Sequence, residues 1–376
     1  MLVWREDLDA TNPGTLNTLP LFELHQAAKA RFGGFAGWNM PLTYPLGVMK
    51  EHLHTREKAG LFDISHMKLI LVTGPQAAAA LARACPLAPE AIAIRASKYT
   101  FLLNENAGID DDLIVTRLGE TRYMVVANAG NAEQDAEKLA AVAADFDAKV
   151  EPLDRVLIAL QGPKAEAALT AAGLDLSSLT FMHGVEPREN WFASRSGYTG
   201  EDGFEVAMPV DEAKDFVEKL LAHEDVEWIG LAARDSLRLE AGLCLHGNDI
   251  TPKTNPVEAN LMWAIPKSLR ETGTFIGADA LRAAITAGPK RLRVGLKPEG
   301  RQPVRNGTVL TDADSKIVGE VTSGGFGPSV NHPIAMGYVE ADLAQIGTTV
   351  YADVRGNKIP LAVHPLPFSQ HRYRKG

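Results

Sequence analysis

Hydrophobic and polar positions along residues 61–149 alternate in a way that predicts an antiparallel sheet with helices on it. Helical spacing occurs at residues 75–84 and 131–146. Asn, Gly and Asp residues between two of the apolar runs predict a hairpin. The four apolar runs with the length of strands are residues 68–74, 99–103, 113–118 and 123–127. A chain that mixes strands and helices in this order is typical of an α+β fold.

A similar order of elements follows in residues 150–280, although no sequence repeat is detectable. The pattern predicts strands at 156–161, 191–196 and 203–208, and helices at 164–171, 210–223 and 230–243. We therefore expect a second α+β unit.

The N-terminal part of the chain is less regular. Residues 1–20 are polar and include Asn12-Pro13-Gly14, which favours a loose extension. Helices are predicted at 21–31 and 47–58. The aromatic stretch 35–44 between them is predicted to be irregular.

After Ala287 the pattern changes to short strands separated by Gly, Asp and Pro, which predicts an all-β module of sandwich or barrel type. The predicted strands are residues 291–296, 308–311, 316–322, 334–338 and 348–354. A domain boundary is therefore expected near residues 280–290.

Composition narrows the class of protein. The 376 residues exceed the ~250–300 at which one core stops growing. The formal net charge of −9 argues against nucleic acid and anionic membranes as partners. Cys85 and Cys244 do not form a CxxC motif, which argues against a disulfide scaffold or thiolate zinc site and favours a reducing compartment. Without a signal-like N-terminus or a long apolar run, a cytoplasmic protein is expected.

Three consecutive carboxylates, Asp110, Asp111 and Asp112, precede the apolar run at Leu113. One interpretation is a solvated hairpin turn, in which aspartate is common. The other is a functional carboxylate, because Asp112 adjoins a buried strand and like charges, which would raise its pKa. The residues alone leave both open.

Glycine residues surround a second carboxylate in the segment Ser196-Gly-Tyr-Thr-Gly-Glu-Asp-Gly-Phe-Glu-Val206. Glu205 lies between two apolar residues of a strand and so points away from both. Its face is either solvent or a pocket, in which a carboxylate can accept two parallel N–H donors.

The segment from Arg234 to Glu240 is highly charged for a helix between apolar blocks. This indicates a buried network, although helical ion pairs on a solvated face would give the same spacing. No zinc-site spacing accompanies His52, His54 and His66, so no metal site is expected. Dinucleotide and P-loop motifs are absent from the sequence.

An ordered set of motifs from about residue 20 to the C-terminus resembles the folate-binding T-protein family, the aminomethyltransferases of the glycine cleavage system. Each motif is weak alone, but the ordered set is specific. They are Phe22-Glu-Leu-His25, Gly37-Trp-Asn-Met-Pro-Leu42, Gly60-Leu-Phe-Asp-Ile-Ser-His-Met67, Asp111-Asp-Leu-Ile-Val115, Val126-Ala-Asn-Ala129, Ala159-Leu-Gln-Gly-Pro163, Gly197 to Glu205, Leu231 to Leu243, Val321-Thr-Ser-Gly324 and Ala335-Met-Gly-Tyr-Val339.

The resemblance implies three lobes around a central folate channel, two of them α+β with antiparallel sheets. Residues 21–60 with 150–280 would form a discontinuous first lobe and residues 61–149 the second. Residues 285–376 would form a C-terminal lobe like a β-barrel or jelly roll.

The resemblance also implies the reaction and the partners. An aminomethyl group on the lipoyl arm of H-protein gives its methylene to tetrahydrofolate, which yields 5,10-methylenetetrahydrofolate, and ammonia leaves. Tetrahydrofolate is then the acceptor substrate, the lipoate belongs to the partner, and no metal takes part.

By resemblance, Asp112 is the catalytic carboxylate and Glu205 grips the pterin amino group and ring N–H. The other folate-binding positions implied are Met67, Tyr99, Asn128, Tyr198, Arg234 and Tyr373. Two positions depart from the family pattern: Asp110 is usually apolar, and His246 replaces a frequent tyrosine. Terminal residues rarely anchor a core, so loss of residues 372–376 is expected to leave the fold intact. The alternative interpretation of residues 372–376 is a disordered, solubilising tail without a role in folate binding.

Two other functions remain open. A paralogue on this fold could demethylate a sulfonium or methylamine substrate, although flavin-linked members carry an additional dinucleotide-binding domain that this chain lacks. A non-catalytic folate-binding factor could assist iron–sulfur or RNA maturation, but Asp112, Glu205 and the Arg234 helix argue against it.

Overall fold

The computed structural model describes residues 16–376, so most of the extension predicted at 1–20 lies outside the described residues. Where it is described, that prediction is wrong, because residues 17–18 form a strand and Leu19 is buried. The first elements are β1 (Asn17–Thr18), α1 (Phe22–Ala27), β2 (Arg31–Phe35), β3 (Trp38–Thr43), α2 (Val48–Glu57) and β4 (Ala59–Asp63).

Strands β2 and β3 form a hairpin where an irregular stretch was predicted. The two turn residues, Ala36 and Gly37, both have positive φ, 49° and 77°, which is the turn geometry that matches strand twist. Without asparagine or aspartate at the turn, the sequence signal for this hairpin is weak. Helix α1 ends at Ala27, before the predicted residue 31, and Lys29 has a φ of 58° that ends the helical path.

Residues 68–153 form the first α+β unit, and the predicted antiparallel sheet is confirmed. Its strands run in the order β6-β7-β8-β5-β9, and every neighbouring pair is antiparallel. The elements are β5 (Lys68–Thr73), α3 (Ala77–Ala84), β6 (Ser97–Leu103), β7 (Ile109–Gly119), β8 (Arg122–Ala127), α4 (Ala132–Ala143) and β9 (Lys149–Leu153). Helices α3 and α4 bury their apolar residues against one face of this sheet.

The second α+β unit contains a six-stranded sheet in the order β11-β12-β13-β10-β4-β14. Its neighbours are antiparallel except β14, which runs parallel to β4 and was not predicted because it spans three residues. The elements are β10 (Val156–Gln161), α5 (Ala165–Ala171), β11 (His183–Val185), β12 (Phe192–Arg195), β13 (Gly203–Met208), α6 (Val210–Leu221), β14 (Val226–Trp228) and α7 (Leu231–Glu240). Helices α8 (Lys267–Thr272) and α9 (Ala278–Ala287) follow, and they share an apolar cluster with β6 of the first sheet.

The C-terminal strands close into a barrel in the order β15-β18-β17-β16-β19-β20, which confirms the predicted all-β module. The elements are β15 (Arg291–Pro298), β16 (Val309–Thr311), β17 (Ile317–Gly327), β18 (His332–Glu340), β19 (Thr349–Val354) and β20 (Asn357–His364). Strand β20, which was not predicted, pairs with both β15 and β19 and so closes the barrel.

The two sheets pack face to face through a common apolar cluster. Leu69, Met124 and Val126 come from the first sheet, and Leu157 and Ala207 come from the second. Helix α7 contributes Ala233 and Leu237 to the same cluster, and it meets the barrel through Leu239. A site that lies between the sheets is therefore bounded by α7.

The lobe limits at residues 60, 149 and 285 stay a prediction. Strand β4 belongs to the second sheet and runs on to Asp63, whereas β9 begins at Lys149 and pairs within the first sheet. Across residues 16–376, none of the helices has the length and apolar character required to cross a membrane.

Candidate active site

Asp112 lies half-buried on β7 and is held by two side chains from neighbouring strands. The Tyr99 hydroxyl donates to Asp112 Oδ2 at 2.8 Å, and Asn128 Nδ2 donates to Asp112 Oδ1 at 2.9 Å. The strand register places Asp112 opposite Phe101, and Tyr99 lies two residues along on the same face of β6. The structure thus brings together three of the predicted site residues.

The environment of Asp112 favours the protonated form more than water does. Burial raises the pKa of Asp112, the charge of Asp111 adds to this, and the result is about 6. Hydrogen bonds from Tyr99 and Asn128 and the nearby His246 act in the opposite direction. A carboxylate in this state is ionised at neutral pH but close enough to its pKa to respond to a substrate.

The three consecutive aspartates all lie on β7 and not in a solvated turn, and their surroundings differ. Asp110 pairs with Lys138 at 2.6 Å and accepts from Asn104 at 3.0 Å. Asp111 is 0% exposed, so the solvated-turn interpretation is wrong for it. An irregularity in the β6–β7 register at Asp110 separates the two.

Glu205 lies on β13 with Ser194 opposite it on β12. Its neighbours Phe204 and Val206 face the outer core, as strand alternation predicts, so Glu205 faces inward between the sheets. Ser196 Oγ donates to Glu205 Oε2 at 2.8 Å. Burial raises the pKa of Glu205, while Arg234 and Ser196 lower it. Additional N–H donors from a ligand would therefore stabilise the charged form of this buried carboxylate further.

The glycine-rich loop between β12 and β13 is shaped by close contacts. A Cβ atom on Gly197 would lie 1.8 Å from Gln161 Oε1, so only glycine fits there. Gln161 Nε2 donates to the Ser196 carbonyl at 2.9 Å, and Thr199 Oγ1 donates to Gln161 Oε1 at 2.8 Å. The loop is therefore fixed against β10, and Ser196 and Tyr198 are fixed with it.

Arg234 and Tyr198 connect the two carboxylates. The Arg234 guanidinium lies 4.7 Å from the centre of the Tyr198 ring, and the Tyr198 hydroxyl donates to the Cys244 carbonyl. Burial raises the pKa of Tyr198, and the charge of Asp112 adds to the increase, so the ring lies within electrostatic range of that carboxylate. Arg234 Nη1 is buried and has no hydrogen-bond partner among residues 16–376.

Met67 and His66 lie at the edge of the same region. Met67 packs half-buried against the cluster between the sheets. His66 is buried, and its Nδ1 lacks a partner within the described chain. Burial and the charge of Arg234 lower the pKa of His66 to about 3, so the imidazole is neutral. Together with Arg234 Nη1, this leaves two buried polar atoms available to a ligand.

The charged segment Arg234 to Glu240 forms the buried network that its sequence indicated. Glu240 accepts from His52 at 3.1 Å and from Arg56 at 3.0 Å. Arg56 also donates to Glu201 in the glycine-rich loop at 3.0 Å. On the barrel side, Arg238 pairs with Asp249 at 2.7 Å and donates to Ser323 at 2.8 Å, which joins α7 to β17. These contacts hold the loop, α7 and the barrel in fixed positions.

Tyr373 lies on the outer side of the glycine-rich loop and stacks on Phe181, with ring centres 3.8 Å apart. Backbone bonds hold its neighbours: Arg372 N donates to the Gly200 carbonyl at 2.8 Å, and Phe181 N donates to the Arg374 carbonyl at 2.8 Å. The tail is therefore packed against the rest of the fold, and the expectation that its loss leaves the fold intact stays a prediction. The folate-binding role of Tyr373 stays a prediction.

Removal of Arg372 to Gly376 is expected to lower the unfolding temperature. A stacked aromatic pair contributes about 0.5–1.5 kcal/mol beyond its burial. We expect the deletion and Tyr373→Ala each to lower Tm by about 2 °C or more in calorimetry. Tyr373→Phe is the matched control, because it keeps the stack and should unfold like the parent. Equal Tm values for all four proteins would contradict the anchoring role of the tail.

Sequence reasoning missed several residues at this site. Trp263 is 69% exposed and stacks on Tyr99 with ring centres 5.5 Å apart, so it lies at the mouth beside Asp112. His246, which the sequence indicated only as a departure from the family pattern, donates from Nε2 to the Ile109 carbonyl and accepts from Asn131 at Nδ1, at 3.0 Å each. Asp135 from α4 lies behind Asp111. Trp263 lies on a short 3₁₀ helix, Met262–Ala264, and no motif of the sequence indicated it.

No group of His, Cys, Asp or Glu side chains within residues 16–376 is arranged to hold a metal ion. The geometry instead offers an inward carboxylate at Glu205, a second carboxylate at Asp112 and aromatic surface between them. Such a site suits a flat heterocycle with N–H donors and a reacting centre that develops positive charge.

Comparisons with known proteins identify the family. The model of the GCVT N-terminal domain matches residues 21–268, and that of the glycine cleavage T-protein C-terminal barrel domain matches residues 291–370. The chain is 41% identical over 358 residues to an aminomethyltransferase of Saccharopolyspora erythraea, covering 93% of this chain and 97% of the relative. It is 40% identical over 372 residues to the mitochondrial aminomethyltransferase of Gallus gallus, covering 96% and 94%.

A solved structure of high similarity is that of the glycine cleavage system aminomethyltransferase T from Bartonella henselae. It is 59% identical, has a TM-score of 0.95, and the match covers 96% of this chain and 100% of that chain. Both family models and both curated relatives agree with it. The chain therefore belongs to the glycine cleavage T-protein family of aminomethyltransferases.

Proposed function

We propose that this enzyme takes the aminomethyl group from the lipoyl arm of H-protein and passes its methylene to tetrahydrofolate. The products are 5,10-methylenetetrahydrofolate, the reduced lipoyl arm and ammonia. The observation that carries the proposal is Asp112, half-buried, held by Tyr99 and Asn128, and linked electrostatically to Glu205 through Tyr198 and Arg234. Family membership supplies the reaction class, and this arrangement supplies residues able to perform it.

The reaction breaks two bonds to the transferred carbon and forms two. The carbon leaves the lipoyl sulfur and the amine nitrogen, and it bonds to two folate nitrogens. Each folate nitrogen loses one proton; one proton ends on the sulfur and the other on the amine nitrogen, which leaves as ammonia. Positive charge develops on the carbon between these steps, so a fixed carboxylate stabilises the transition state.

In this proposal Asp112 performs that stabilisation and orients the folate nitrogens. Tyr99 and Asn128 each donate to one of its oxygens, so the carboxylate has a fixed direction before the substrate arrives. This preorganisation avoids a reorientation cost during reaction.

Glu205 is proposed to bind the pterin amino group and the ring N–H. Ser196 supports one carboxylate oxygen, and the inward position on β13 supports two parallel N–H contacts. The remaining proposed folate-binding residues are Met67, Tyr99, Asn128, Tyr198, Arg234 and Tyr373. The unpartnered Nη1 of Arg234 supports a polar contact there.

Lipoylated H-protein is the proposed partner, and the lipoate remains on that protein. The proposed location is the cytoplasm, which is supported by relatives from bacteria, although other relatives are named mitochondrial. The two cysteines are free and buried, as in proteins of reducing compartments.

The activity is expected to fall at low pH because Asp112 must be ionised. The pKa of Asp112 is raised to about 6, first by burial and then by the charge of Asp111. The carboxylate is charged above this pH and neutral below it, so kcat/KM should fall about tenfold per pH unit below the pKa. Asp110→Asn is the matched control, because Asp110 pairs with Lys138. In this variant kcat/KM should fall at the same pH as in the parent, so the acidic limb of the pH profile stays in place. A limb near the ordinary aspartate value of about 4 would contradict the assignment.

A substrate panel separates this proposal from the alternatives on the same fold. Purified enzyme with tetrahydrofolate is given aminomethylated H-protein, a sulfonium compound or a methylamine, and the folate product is identified by mass spectrometry. We expect methylene transfer from aminomethylated H-protein alone. Methyl transfer from either small molecule would favour a demethylase, and folate binding without any transfer would favour a non-catalytic factor.

A further inference from the structure

Two buried carboxyl groups face each other behind Asp112. Asp111 on β7 is 0% exposed and Asp135 on α4 is 1% exposed. Their carboxyl groups lie within hydrogen-bonding range. Two carboxylates in such a place repel strongly when both are charged, so one of them must hold a proton.

The hydrogen-bond donors decide which of the two is charged. Asp111 Oδ1 accepts from Asn128 Nδ2 at 2.9 Å, and Asp111 Oδ2 accepts from Asn128 N at 3.3 Å. Neither oxygen of Asp135 receives an N–H or O–H donor from residues 16–376. Donors stabilise a carboxylate in its charged form, so the charge belongs on Asp111 and the proton on Asp135.

The other titratable groups around the pair do not reverse this distribution. His246 Nδ1 lies 3.8 Å from Asp111 Oδ1 but accepts from Asn131, and its Nε2 donates to the Ile109 carbonyl, so neither ring nitrogen donates to the pair. Lys138, the nearest cation on α4, is already paired with Asp110. Burial, followed by Asp111, raises the pKa of Asp135 to about 10. The remaining groups within electrostatic range are Asp112 and Cys85.

We propose that Asp135 is a positioning residue that stays protonated at neutral pH and donates a hydrogen bond to Asp111. Asp111 is then a single fixed charge that orients the Asn128 amide. Asn128 Nδ2 donates to both Asp111 Oδ1 and Asp112 Oδ1, at 2.9 Å each, so the orientation of Asp112 depends on the pair behind it. The catalytic consequence rests on the proposed function of Asp112, whereas the protonation of Asp135 does not.

Infrared difference spectroscopy tests the proton directly. The spectrum of the parent enzyme minus that of Asp135→Asn is recorded at pH 8, in the region of the carbonyl stretch of protonated carboxylic acids. We expect a band from the parent that the variant lacks. Asp110→Asn is the matched control, because an ionised aspartate paired with Lys138 contributes no such band. Absence of a lost band in Asp135→Asn would overturn the proposal.

Kinetics test the positioning role. Asp135→Asn keeps an N–H donor toward Asp111 and should retain kcat within a few-fold. Asp135→Leu removes that donor and should lower kcat about tenfold or more, while folate affinity changes little. The pH below which kcat/KM of Asp135→Leu falls should also shift, because Asp112 loses its fixed neighbours. Equal kcat and an unmoved limb in both variants would overturn the role.

The two failures are distinguishable. If Asp112→Asn kept full activity while the infrared band was lost in Asp135→Asn, the proposed function of Asp112 would fall and the protonated pair would stand. If Asp135→Leu does not fold, the infrared band and the Asp135→Asn pH profile still decide the proposal.

Discussion

Asp112→Asn is expected to lower kcat by about 10²–10³ and to leave folate affinity nearly unchanged. The substitution keeps the shape of the side chain and removes its charge. Tyr99 and Asn128 would still hold the amide in place, so binding of the folate ring elsewhere in the pocket should persist. Steady-state kinetics with aminomethylated H-protein and equilibrium dialysis with a folate measure the two quantities separately.

The neighbouring aspartates provide the controls for this result. Asp110→Asn should cost little, because Asp110 pairs with Lys138 away from the pocket. Because Asp111 is buried and accepts from Asn128, Asp111→Asn should cause a loss between those of the other two variants. An inactive Asp111→Asn beside an active Asp112→Asn would show that the wrong carboxylate has been assigned.

Glu205→Gln is expected to weaken folate binding by about 10–150-fold, which corresponds to the loss of one charge-assisted hydrogen bond of about 1.5–3 kcal/mol. Glutamine presents one acceptor where two parallel N–H donors need two, and its amide donor would oppose one of them. At saturating folate, kcat should change much less, because in the proposed binding mode Glu205 contacts the ring and not the transferred carbon.

Calorimetric titration with a folate measures this change. Glu227→Gln is a matched control, since Glu227 lies exposed on β14 of the same sheet and should bind folate as the parent does. Unchanged affinity in Glu205→Gln would remove this carboxylate from the pocket.

The local pattern predicted most of the fold because most elements bury one face. Strands β5 to β8 of the first α+β unit and the helix α4 follow apolar periodicity closely, and the structure confirms them. Strand β9, which is mostly exposed and contains Pro152, was not predicted. Strand β20 escaped prediction because Pro360 interrupts it, and proline argues against a strand. In this barrel β20 still pairs on both sides, and Ile359, Leu361 and Val363 alternate inward.

The site was predictable only where a motif identified it. Strand alternation predicted that Glu205 points to the opposite face from Phe204 and Val206, but it could not distinguish a pocket from solvent. The separate environments of Asp110 and Asp111 depend on the register irregularity in β7, which the composition of the segment does not predict. Asp135 belongs to an amphipathic helix and looked like a surface residue, because its partner Asp111 comes from a distant strand.

The position of the C-terminal tail could not be derived from its own residues. A short basic segment at a chain end is typical of a mobile tail. Its order arises from contacts made by three distant segments: Phe181 stacks on Tyr373, Gly200 binds Arg372, and Glu166 binds Arg374. Such long-range contacts are properties of the folded chain.

The central claim is tested most directly by single-turnover transfer from aminomethylated H-protein to tetrahydrofolate. Ammonia and 5,10-methylenetetrahydrofolate are quantified together with the parent enzyme and with Asp112→Asn. We expect the two products in equal amounts with the parent and a rate about 10²–10³ lower with Asp112→Asn. Ammonia without methylenetetrahydrofolate, or equal rates for the two proteins, would contradict folate-dependent methylene transfer at Asp112.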